Sequence, residues 1–297
     1  MKPAIVLSIA GSDCSGGAGI QADIKTISAL GAYAASAITA ITAQNTMGVQ
    51  AVHPLPAEVV GAQIRSVMDD LRPDAVKIGM VCNTDIVLSI SDCLQEYRPG
   101  IVVYDPVMIS TSGHRLMTEE TVQAIQERLF PLCTLITPNL GETALLAGLR
   151  TISDVTAMQR AAQSLAEKHK RCFFVKGGHL EGDIMCDVLC HATPDERVPA
   201  TQIQNRTAYE GDKEAVHSPC CTLYTSAKID SNNLHGTGCT LSSAIATFWA
   251  QGHTLTEAVG LAKQYVSKAI RHGKEMDIGS GNGPLWHFVS KDPMITQ

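Results

Sequence analysis

The chain has 297 residues, a hydrophobic fraction of 45% and a formal net charge of −6 at pH 7. A chain of this length can bury a sizeable core, and its negative charge argues against nucleic acid or an anionic membrane as a partner. No apolar run approaches the length of a membrane-spanning helix. The ten cysteines show no Cys-x-x-Cys spacing, which predicts reduced thiols, no disulfide framework and a cytoplasmic location.

Short apolar runs alternate with amphipathic stretches along the chain, a pattern typical of strands alternating with helices. We expect strands near residues 4–10, 36–43, 75–79, 101–104, 135–139, 173–175 and 184–190. We expect helices near residues 20–30, 56–71, 86–94, 119–130, 153–169, 241–250 and 254–272, with another after residue 139. The alternation predicts a mostly parallel, doubly wound α/β sheet with helices on both faces, in one domain over residues 1–297. Residues 194–224 break the pattern and predict a polar insertion or a loose hairpin.

The segment His-Gly-Thr-Gly-Cys at residues 235–239 comes just before the predicted helix 241–250. Small residues at a helix start let the first backbone N–H groups point outward, and the helix dipole adds positive charge there. Gly236, Thr237, Gly238 and Cys239 are therefore expected to form an anion hole, in which the pKa of the Cys239 thiol should be lowered. The alternative is a buried structural cysteine at a tight turn.

Polar residues also follow several predicted strands. Gln44 follows the run 36–43, Asp105 follows 101–104, and Asp23 lies one turn into the helix after a glycine-rich loop. At the carboxyl ends of parallel strands such residues usually face the ligand crevice, and turn formation or helix capping is the alternative for each. The glycine-rich loop, residues 11–19, lacks the Gly-x-Gly-x-x-Gly spacing, so it only weakly favours a nicotinamide-dependent oxidoreductase.

A second polar group lies further along the chain. Asn139 and Glu142 are three residues apart at a predicted helix start, the spacing of a helix cap. The same oxygens would suit a phosphate and magnesium site, although this stretch alone favours the cap. Lys176 ends a predicted strand before two glycines, where it would reach an anion unimpeded; a solvated surface lysine is the alternative.

Seven motifs together resemble the hydroxymethylpyrimidine/phosphomethylpyrimidine kinase family of thiamine biosynthesis. They lie in that family's order at residues 10–23, 42–46, 77–80, 105–108, 137–139, 176–179 and 235–240, and residues 283–288 resemble its C-terminal end. The first and last of the seven are specific. Thr-Pro-Asn and Asp-Pro-Val are shared with the wider ribokinase-like superfamily, which includes pyridoxal kinases. The resemblance implies a ribokinase-like three-layer α/β/α fold.

The resemblance also implies an activity. With ATP and Mg²⁺ as cofactors, the chain would phosphorylate 4-amino-5-hydroxymethyl-2-methylpyrimidine and then convert the monophosphate to the diphosphate. The implied partners are this small pyrimidine and ATP, with no nucleic acid and no membrane, and a homodimer is expected.

The resemblance places its site residues in four groups. The pyrimidine pocket comprises Gln44, Asp23, Gly11, Met80 and Val107. The nucleotide contacts are Lys176, Asn139, Thr137 and Gly238. The magnesium ligands are Asp105 and Glu142. The catalytic group is Cys239, Lys176, Gly236, Thr237 and Gly238.

Two alternatives remain beside this interpretation: a pyridoxal kinase of the same superfamily and a non-catalytic pyrimidine-binding sensor. A sensor should have lost Cys239, Lys176 or the anion-hole glycines, and all of them are present. A Gln44 amide can pair with both the amino group and the ring nitrogen of a 4-aminopyrimidine, which pyridoxal cannot match. Ser110 occupies the position where some pyridoxal kinases have a lid cysteine. The sequence therefore favours the aminopyrimidine.

Overall fold

The computed structural model describes residues 2–108, 117–178, 182–192 and 221–289. The chain divides into two compact units, the first formed by residues 1–134 with 229–297 and the second by residues 135–228. That residues 1–297 form one domain stays a prediction. Across the described ranges, no helix is both long and apolar enough to cross a bilayer.

Strands and helices alternate along most of the described chain. The strands are β1 (Ile5–Asp13), β2 (Tyr33–Asn45), β3 (Gly48–Pro54), β4 (Ala75–Ile78), β5 (Val102–Tyr104), β6 (Leu135–Ile136), β7 (Cys172–Lys176), β8 (Ile184–Cys190) and β9 (Cys221–Ala227). The α-helices are α1 (Gly19–Ala29), α2 (Ala57–Asp70), α3 (Thr84–Tyr97), α4 (Glu119–Ala124), α5 (Leu140–Ala147), α6 (Val155–His169), α7 (Thr237–Ala250) and α8 (Leu255–Gly273).

The sheet of the first unit has the strand order β3-β2-β1-β4-β5. β1 pairs in parallel with β2 and β4, and β4 pairs in parallel with β5, whereas β3 runs antiparallel to β2. Every residue of β4 and β5 is buried, as expected for short apolar strands covered on both faces. Because parallel strands end at the same edge, the residues after β1, β2, β4 and β5 lie along one crevice.

Helices of the first unit form two packed groups. α7 packs against α1, α8 and the strands β1, β4 and β5, whereas α2 packs against α3 and β2. Side-chain caps begin several of these helices: the Asn83 side chain accepts from the N–H of Ile86 at the start of α3, and Thr254 and Glu257 form a capping box on α8. The predicted mostly parallel sheet with helices on both faces is confirmed.

The second unit has the strand order β6-β7-β8-β9. β6 and β7 are parallel, and β7, β8 and β9 run antiparallel to one another. α6 packs against β7 and β8, and α5 packs against α6 and β7.

Several predicted boundaries are wrong. β1 continues three residues past its predicted end, and α7 begins at Thr237 rather than at residue 241. The predicted helix 119–130 is broken, because α4 ends at Ala124 and a π-helical turn and a 3₁₀ turn follow.

Two strands were not predicted. Every residue of β3 is exposed, so the strand lacks the alternation of apolar and polar residues that marks a half-buried strand. β9 begins at Cys221 and pairs antiparallel with β8, so residues 221–224 agree with the hairpin alternative for the stretch 194–224. The rest of that stretch, residues 194–220, lies outside the described residues, as does Ser110.

The cysteines differ from the prediction at one place. Cys190 and Cys221 face each other across the antiparallel β8–β9 pair and form a disulfide, so the prediction of reduced thiols is wrong for these two. Seven other cysteines in the described ranges are free thiols. The cytoplasmic location stays a prediction.

Candidate active site

Residues 236–239 start helix α7. Gly236 is the N-cap and has a φ of 84°, a left-handed conformation that favours glycine. Any side chain on Gly236 would also collide with the backbone oxygen of Gly17 in the glycine-rich loop. In the first turn of an α-helix the N–H groups lack intrahelical acceptors, which is the geometry of the predicted anion hole around Gly238 and Cys239. The backbone N–H and the side-chain hydroxyl of Thr237 both donate hydrogen bonds to the carbonyl oxygen of Leu234, at 3.2 and 2.7 Å.

Burial raises the pKa of the Cys239 thiol to about 11. The Lys77 ammonium and a backbone hydrogen bond from Gly19 oppose the rise in pKa, while the carboxylates of Asp23 and Asp105 add to it. The predicted lowering of this pKa by the helix N-terminus is therefore wrong. Desolvation and two nearby carboxylates outweigh the helix dipole, and the thiol is neutral near pH 7.

A buried ion pair lies close to this thiol. Lys77 Nζ donates to both carboxylate oxygens of Asp23, at 2.9 and 2.8 Å, and both side chains are 0% exposed. The Asp23 oxygens also accept from the hydroxyls of Ser8 at 2.6 Å and Ser243 at 2.7 Å. These bonds join β1, α1, β4 and α7. Direct contact between Asp23 and a pyrimidine stays a prediction, and Lys77 is a residue of this cluster that was not predicted.

Gln44 lies beside another polar cluster of the first unit. Its amide nitrogen is 3.1 Å from Nε2 of His235, and the same Nε2 is 2.8 Å from an Asp13 carboxylate oxygen. Burial opposes the charge on Asp13, but hydrogen bonds from His235, Ser15 and Ala18 hold the pKa of this carboxyl well below its usual range. The structure thus brings the glycine-rich loop, the end of β2 and the 235–239 motif together. Asp13 and His235 were not predicted as site residues.

The other predicted pocket residues lie at the ends of strands in the same unit. Gly11 abuts Met80, since a side-chain carbon on Gly11 would collide with the Met80 methyl group. Val107 is partly exposed and is the third residue after the end of β5. Register shifts occur between Ala10 and Ser12 in β1 and between Ala43 and Gln44 in β2. Such bulges re-aim side chains at a strand end.

Asp105 follows β5 directly and is 2% exposed. The Ser242 hydroxyl, on the second turn of α7, is 3.4 Å from one of its carboxylate oxygens. Asp105 raises the pKa of both Lys77 and Cys239 through its charge. The first unit therefore places a carboxylate, an ammonium group and a neutral thiol at the start of α7.

Three of the predicted nucleotide residues, Lys176, Asn139 and Thr137, lie in the second unit, whereas Gly238 lies on α7 in the first unit. Asn139 and Glu142 form a reciprocal capping box on α5, with N–H to oxygen distances of 2.8 and 2.9 Å, so the cap interpretation is confirmed. Lys176 ends β7 and donates its backbone N–H to the carbonyl of Pro138 at 2.9 Å. Thr137 is fully buried. Contacts of these residues with a nucleotide stay predictions.

The side-chain donors in the structure can be compared with those that Mg²⁺ requires. Within residues 2–108, 117–178, 182–192 and 221–289, no group of three or more His, Cys, Asp or Glu side chains could hold a metal ion by itself. Mg²⁺ is commonly held by one or two carboxylates together with substrate phosphates rather than by a complete protein cage. Asp105 in the first unit and Glu142 in the second unit each carry carboxylate oxygens, the kind of donor that Mg²⁺ prefers. Their ligation of Mg²⁺ stays a prediction.

A glycine-rich helix start, a strand-end carboxylate and a buried ammonium group on a mostly parallel α/β fold define a small-molecule phosphotransferase. The family model of phosphomethylpyrimidine kinase matches residues 13–286. The chain belongs to this phosphomethylpyrimidine kinase family, and it is an enzyme that transfers phosphoryl groups.

Known relatives agree with this family. The chain is 45% identical to a hydroxymethylpyrimidine/phosphomethylpyrimidine kinase from Rhizobium meliloti, over 96% of this chain and 97% of that protein. It is similar to the crystal structure of phosphomethylpyrimidine kinase from Clostridium difficile, with a TM-score of 0.72 and 40% identity over 90% of this chain and 99% of that chain. It is also similar to pyridoxal kinase from Staphylococcus aureus in complex with AMP-PCP and pyridoxal, with a TM-score of 0.80 and 28% identity over 97% and 95%.

These similarities confirm the ribokinase-like fold class. The pyridoxal kinase superposes with the higher TM-score but has the lower sequence identity. Overall fold therefore does not separate the two vitamin kinases, whereas the family match and the identity favour the pyrimidine kinase. Because the chain is a phosphotransferase, the alternative of a non-catalytic sensor is not retained.

Proposed function

We propose that this chain uses ATP to phosphorylate 4-amino-5-hydroxymethyl-2-methylpyrimidine, and then converts the resulting monophosphate to the diphosphate, in thiamine biosynthesis. The observation that carries the proposal is the position of Gln44 in the first unit. Its amide meets His235, which comes four residues before Cys239 in the chain. A group able to read an aminopyrimidine edge thus lies beside the motif that would hold the reacting hydroxyl.

Phosphoryl transfer depends mainly on positioning and on neutralising charge. The first-turn N–H groups of α7 would stabilise negative charge on the transferred group. Asp105 and Glu142 are each proposed as a carboxylate ligand for Mg²⁺, which supplies charge neutralisation on phosphate oxygens when it is bound. In the first transfer the thiolate form of Cys239, the minor form near pH 7, would accept the proton of the substrate hydroxyl. In the second transfer the acceptor is a phosphate oxygen already ionised near pH 7, so no strong base is required, and a neutral thiol does not repel it.

Lys176 is the proposed cation for the nucleotide phosphates. Replacing Lys176 with alanine should raise KM for ATP and lower kcat, because its charge would act both in binding and in the transition state. Steady-state kinetics with varied ATP measure both constants. Lys170, a basic residue at the C-terminal end of α6, gives a matched control as Lys170→Ala. Equal constants for Lys176→Ala and this control would assign Lys176 to the solvated surface.

Gln44 provides the test of substrate class. Wild-type enzyme should have a higher kcat/KM for the aminopyrimidine than for pyridoxal, and Gln44→Leu should remove most of that preference. The physical reason is that an unpaired buried amide group costs about 1–3 kcal/mol. The measurement is kcat/KM for both vitamers, with ATP binding followed separately. Gln95→Leu, at an exposed position of α3, is the matched control.

Two outcomes of this experiment would count against the proposal. A wild-type preference for pyridoxal would overturn the proposed substrate. A Gln44→Leu variant that keeps the wild-type ratio would leave the substrate standing and exclude Gln44 as the group that reads the ring.

The proposal includes a homodimer. β3 is exposed along its whole length, and Met47, Val49 and Val52 on the β2–β3 hairpin are 70%, 48% and 42% exposed. An exposed apolar edge strand is a ready template for pairing with a second chain. Sedimentation velocity would give the mass of the particle in solution.

A further inference from the structure

The side-chain amide of Gln44 makes two polar contacts. Its nitrogen is 3.1 Å from His235 Nε2, and its oxygen is 3.2 Å from the Thr42 hydroxyl oxygen. An amide has two donor hydrogens on nitrogen and only acceptor lone pairs on oxygen. Whether each contact is favourable therefore depends on which hydrogens His235 and Thr42 carry.

His235 carries a proton on Nε2. This nitrogen is 2.8 Å from an oxygen of Asp13, whose side chain is 4% exposed. The Asp13 carboxylate also accepts from the N–H groups of Ser15 and Ala18 and from the Ser15 hydroxyl, at 2.9, 2.8 and 2.7 Å. A carboxylate surrounded by donors is ionised and only accepts. Nε2 must then donate to it, and an amide nitrogen facing the same Nε2 would bring two donors together.

The contact between Thr42 and the amide oxygen of Gln44 is unfavourable as well. The Thr42 hydroxyl has a single hydrogen and two acceptors within reach, the Ser12 carbonyl oxygen at 2.9 Å and the Gln44 amide oxygen at 3.2 Å. The shorter contact, to Ser12, takes that hydrogen. The Ser12 carbonyl cannot donate in return. The Thr42 oxygen can therefore only accept from Gln44, yet an amide oxygen facing it offers no hydrogen.

We infer that the Gln44 amide is held in the reverse orientation, with its oxygen toward His235 and its nitrogen toward Thr42. A half-turn of the amide plane corrects both contacts at once. The single Nε2–H of His235 donates to Asp13, 2.8 Å away, and is shared with the Gln44 oxygen in a three-centre hydrogen bond, while Gln44 donates to Thr42. The backbone of Gln44 is fixed independently, because the Cys14 thiol donates to its carbonyl at 3.1 Å and accepts from its N–H at 3.3 Å. His235 and Asp13 are thus positioning residues for Gln44.

The orientation has a consequence for specificity, which rests on the proposed function. After the contacts with His235 and Thr42, the amide keeps one lone pair on oxygen and one hydrogen on nitrogen. These match the amino hydrogen and the ring-nitrogen lone pair of a 4-aminopyrimidine. The deaminated 4-oxo analogue presents the opposite pattern, a carbonyl oxygen beside a ring N–H. If the hydroxymethyl group must face the phosphate donor, the analogue cannot turn over to compensate, so a fixed amide rejects it.

The kinetic test compares the amino substrate with its 4-oxo analogue in variants at residue 235. His235→Leu removes the donor, whereas His235→Gln keeps an N–H near the position of Nε2. His235→Leu should lower kcat/KM for the amino substrate by about 10- to 100-fold and reduce the preference over the 4-oxo analogue by a similar factor. His235→Gln should retain most of the preference, and KM for ATP should stay unchanged in both variants.

A double-mutant cycle shows whether His235 acts through Gln44. In a Gln44→Leu background, adding His235→Leu should change kcat/KM by less than about threefold, since coupled residues are not additive. Additive losses, or equal losses with the amino and 4-oxo substrates, would overturn the positioning role.

A direct measurement on the wild-type protein separates this inference from the proposed function. The ¹⁵N spectrum of the imidazole side chains, with His235 assigned by its loss in His235→Gln, should show Nε2 of His235 protonated. An unprotonated Nε2 would overturn the inference whatever the substrate is. A protonated Nε2 in an enzyme that does not phosphorylate the aminopyrimidine would refute the proposed function and leave the amide orientation in place.

Discussion

Replacing Cys239 with alanine should slow the first phosphorylation by about 10²–10⁴-fold, the range expected for the loss of an acid–base group. The variant should still bind ATP, because the first-turn N–H groups of α7 do not depend on the sulfur. The second phosphorylation should be affected less, since its acceptor oxygen is already ionised near pH 7. The measurement is kcat for each step with purified intermediate.

The role of Cys239 as a base also predicts the direction in which the rate of the first transfer changes with pH. The base is the thiolate, and burial raises the pKa of Cys239 to about 11, so the active form becomes more abundant as pH increases. The rate of the first transfer should therefore increase with pH below 11, while that of the second should change little above pH 7. A parallel pH dependence for the two steps would contradict the role as a base.

Cys239→Ser is the matched control for the same prediction. A hydroxyl keeps a hydrogen-bond donor at this position but is a much poorer base than a thiolate. If Cys239 acts as the base, serine should be nearly as slow as alanine in the first transfer. Wild-type kcat in either variant would assign the chemistry to the helix N-terminus alone.

Sequence patterns predicted those parts of the fold that depend on residues close together in the chain. The buried strand β5 is a continuous apolar run and β4 is apolar apart from Lys77, and the sharp turn at Gly236 could be anticipated from the two glycines of the 235–239 motif. β3 was missed because all of its residues face solvent, so no periodic pattern marks it. The Cys190–Cys221 bond depends on the pairing of β8 with β9, and the sequence does not encode that pairing in any short motif.

In the candidate site too, features set by neighbouring residues were predicted, whereas features set by residues distant in the chain were not. The position of Cys239 at a helix start was predicted, but the direction of its pKa shift was not, because Asp23 and Asp105 come from other parts of the chain. Asp13 and His235 each lie in a motif that the sequence shows, but they are 222 residues apart, and no local pattern indicates that their side chains pair. Lys77 did carry a signal, a lone lysine inside the apolar run of β4, since a buried lysine requires a partner.

That lysine leads to the second large expected effect. Lys77→Met should lower the free energy of unfolding by about 3–5 kcal/mol, because removing one member of a buried pair leaves an uncompensated charge. Burial disfavours the charged ammonium, but the nearby carboxylates of Asp23 and Asp105 outweigh burial and raise the pKa of Lys77 above its usual range. The Lys77 ammonium therefore stays charged throughout the neutral pH range. Urea unfolding of the wild type and the variant measures the loss.

Two further variants separate the buried charge from packing. Lys77→Met combined with Asp23→Leu should recover much of the loss, since an apolar pair of similar volume removes the stranded carboxylate. Arg65→Met breaks an exposed pair with Glu96, in which the side chains are 45% and 54% exposed, and should cost less than about 1 kcal/mol. If Lys77→Met costs no more than Arg65→Met, the buried pair does not stabilise the fold. Because Ser243 on α7 donates to Asp23, one turn after Cys239, kcat should fall in Lys77→Met even where the variant remains folded.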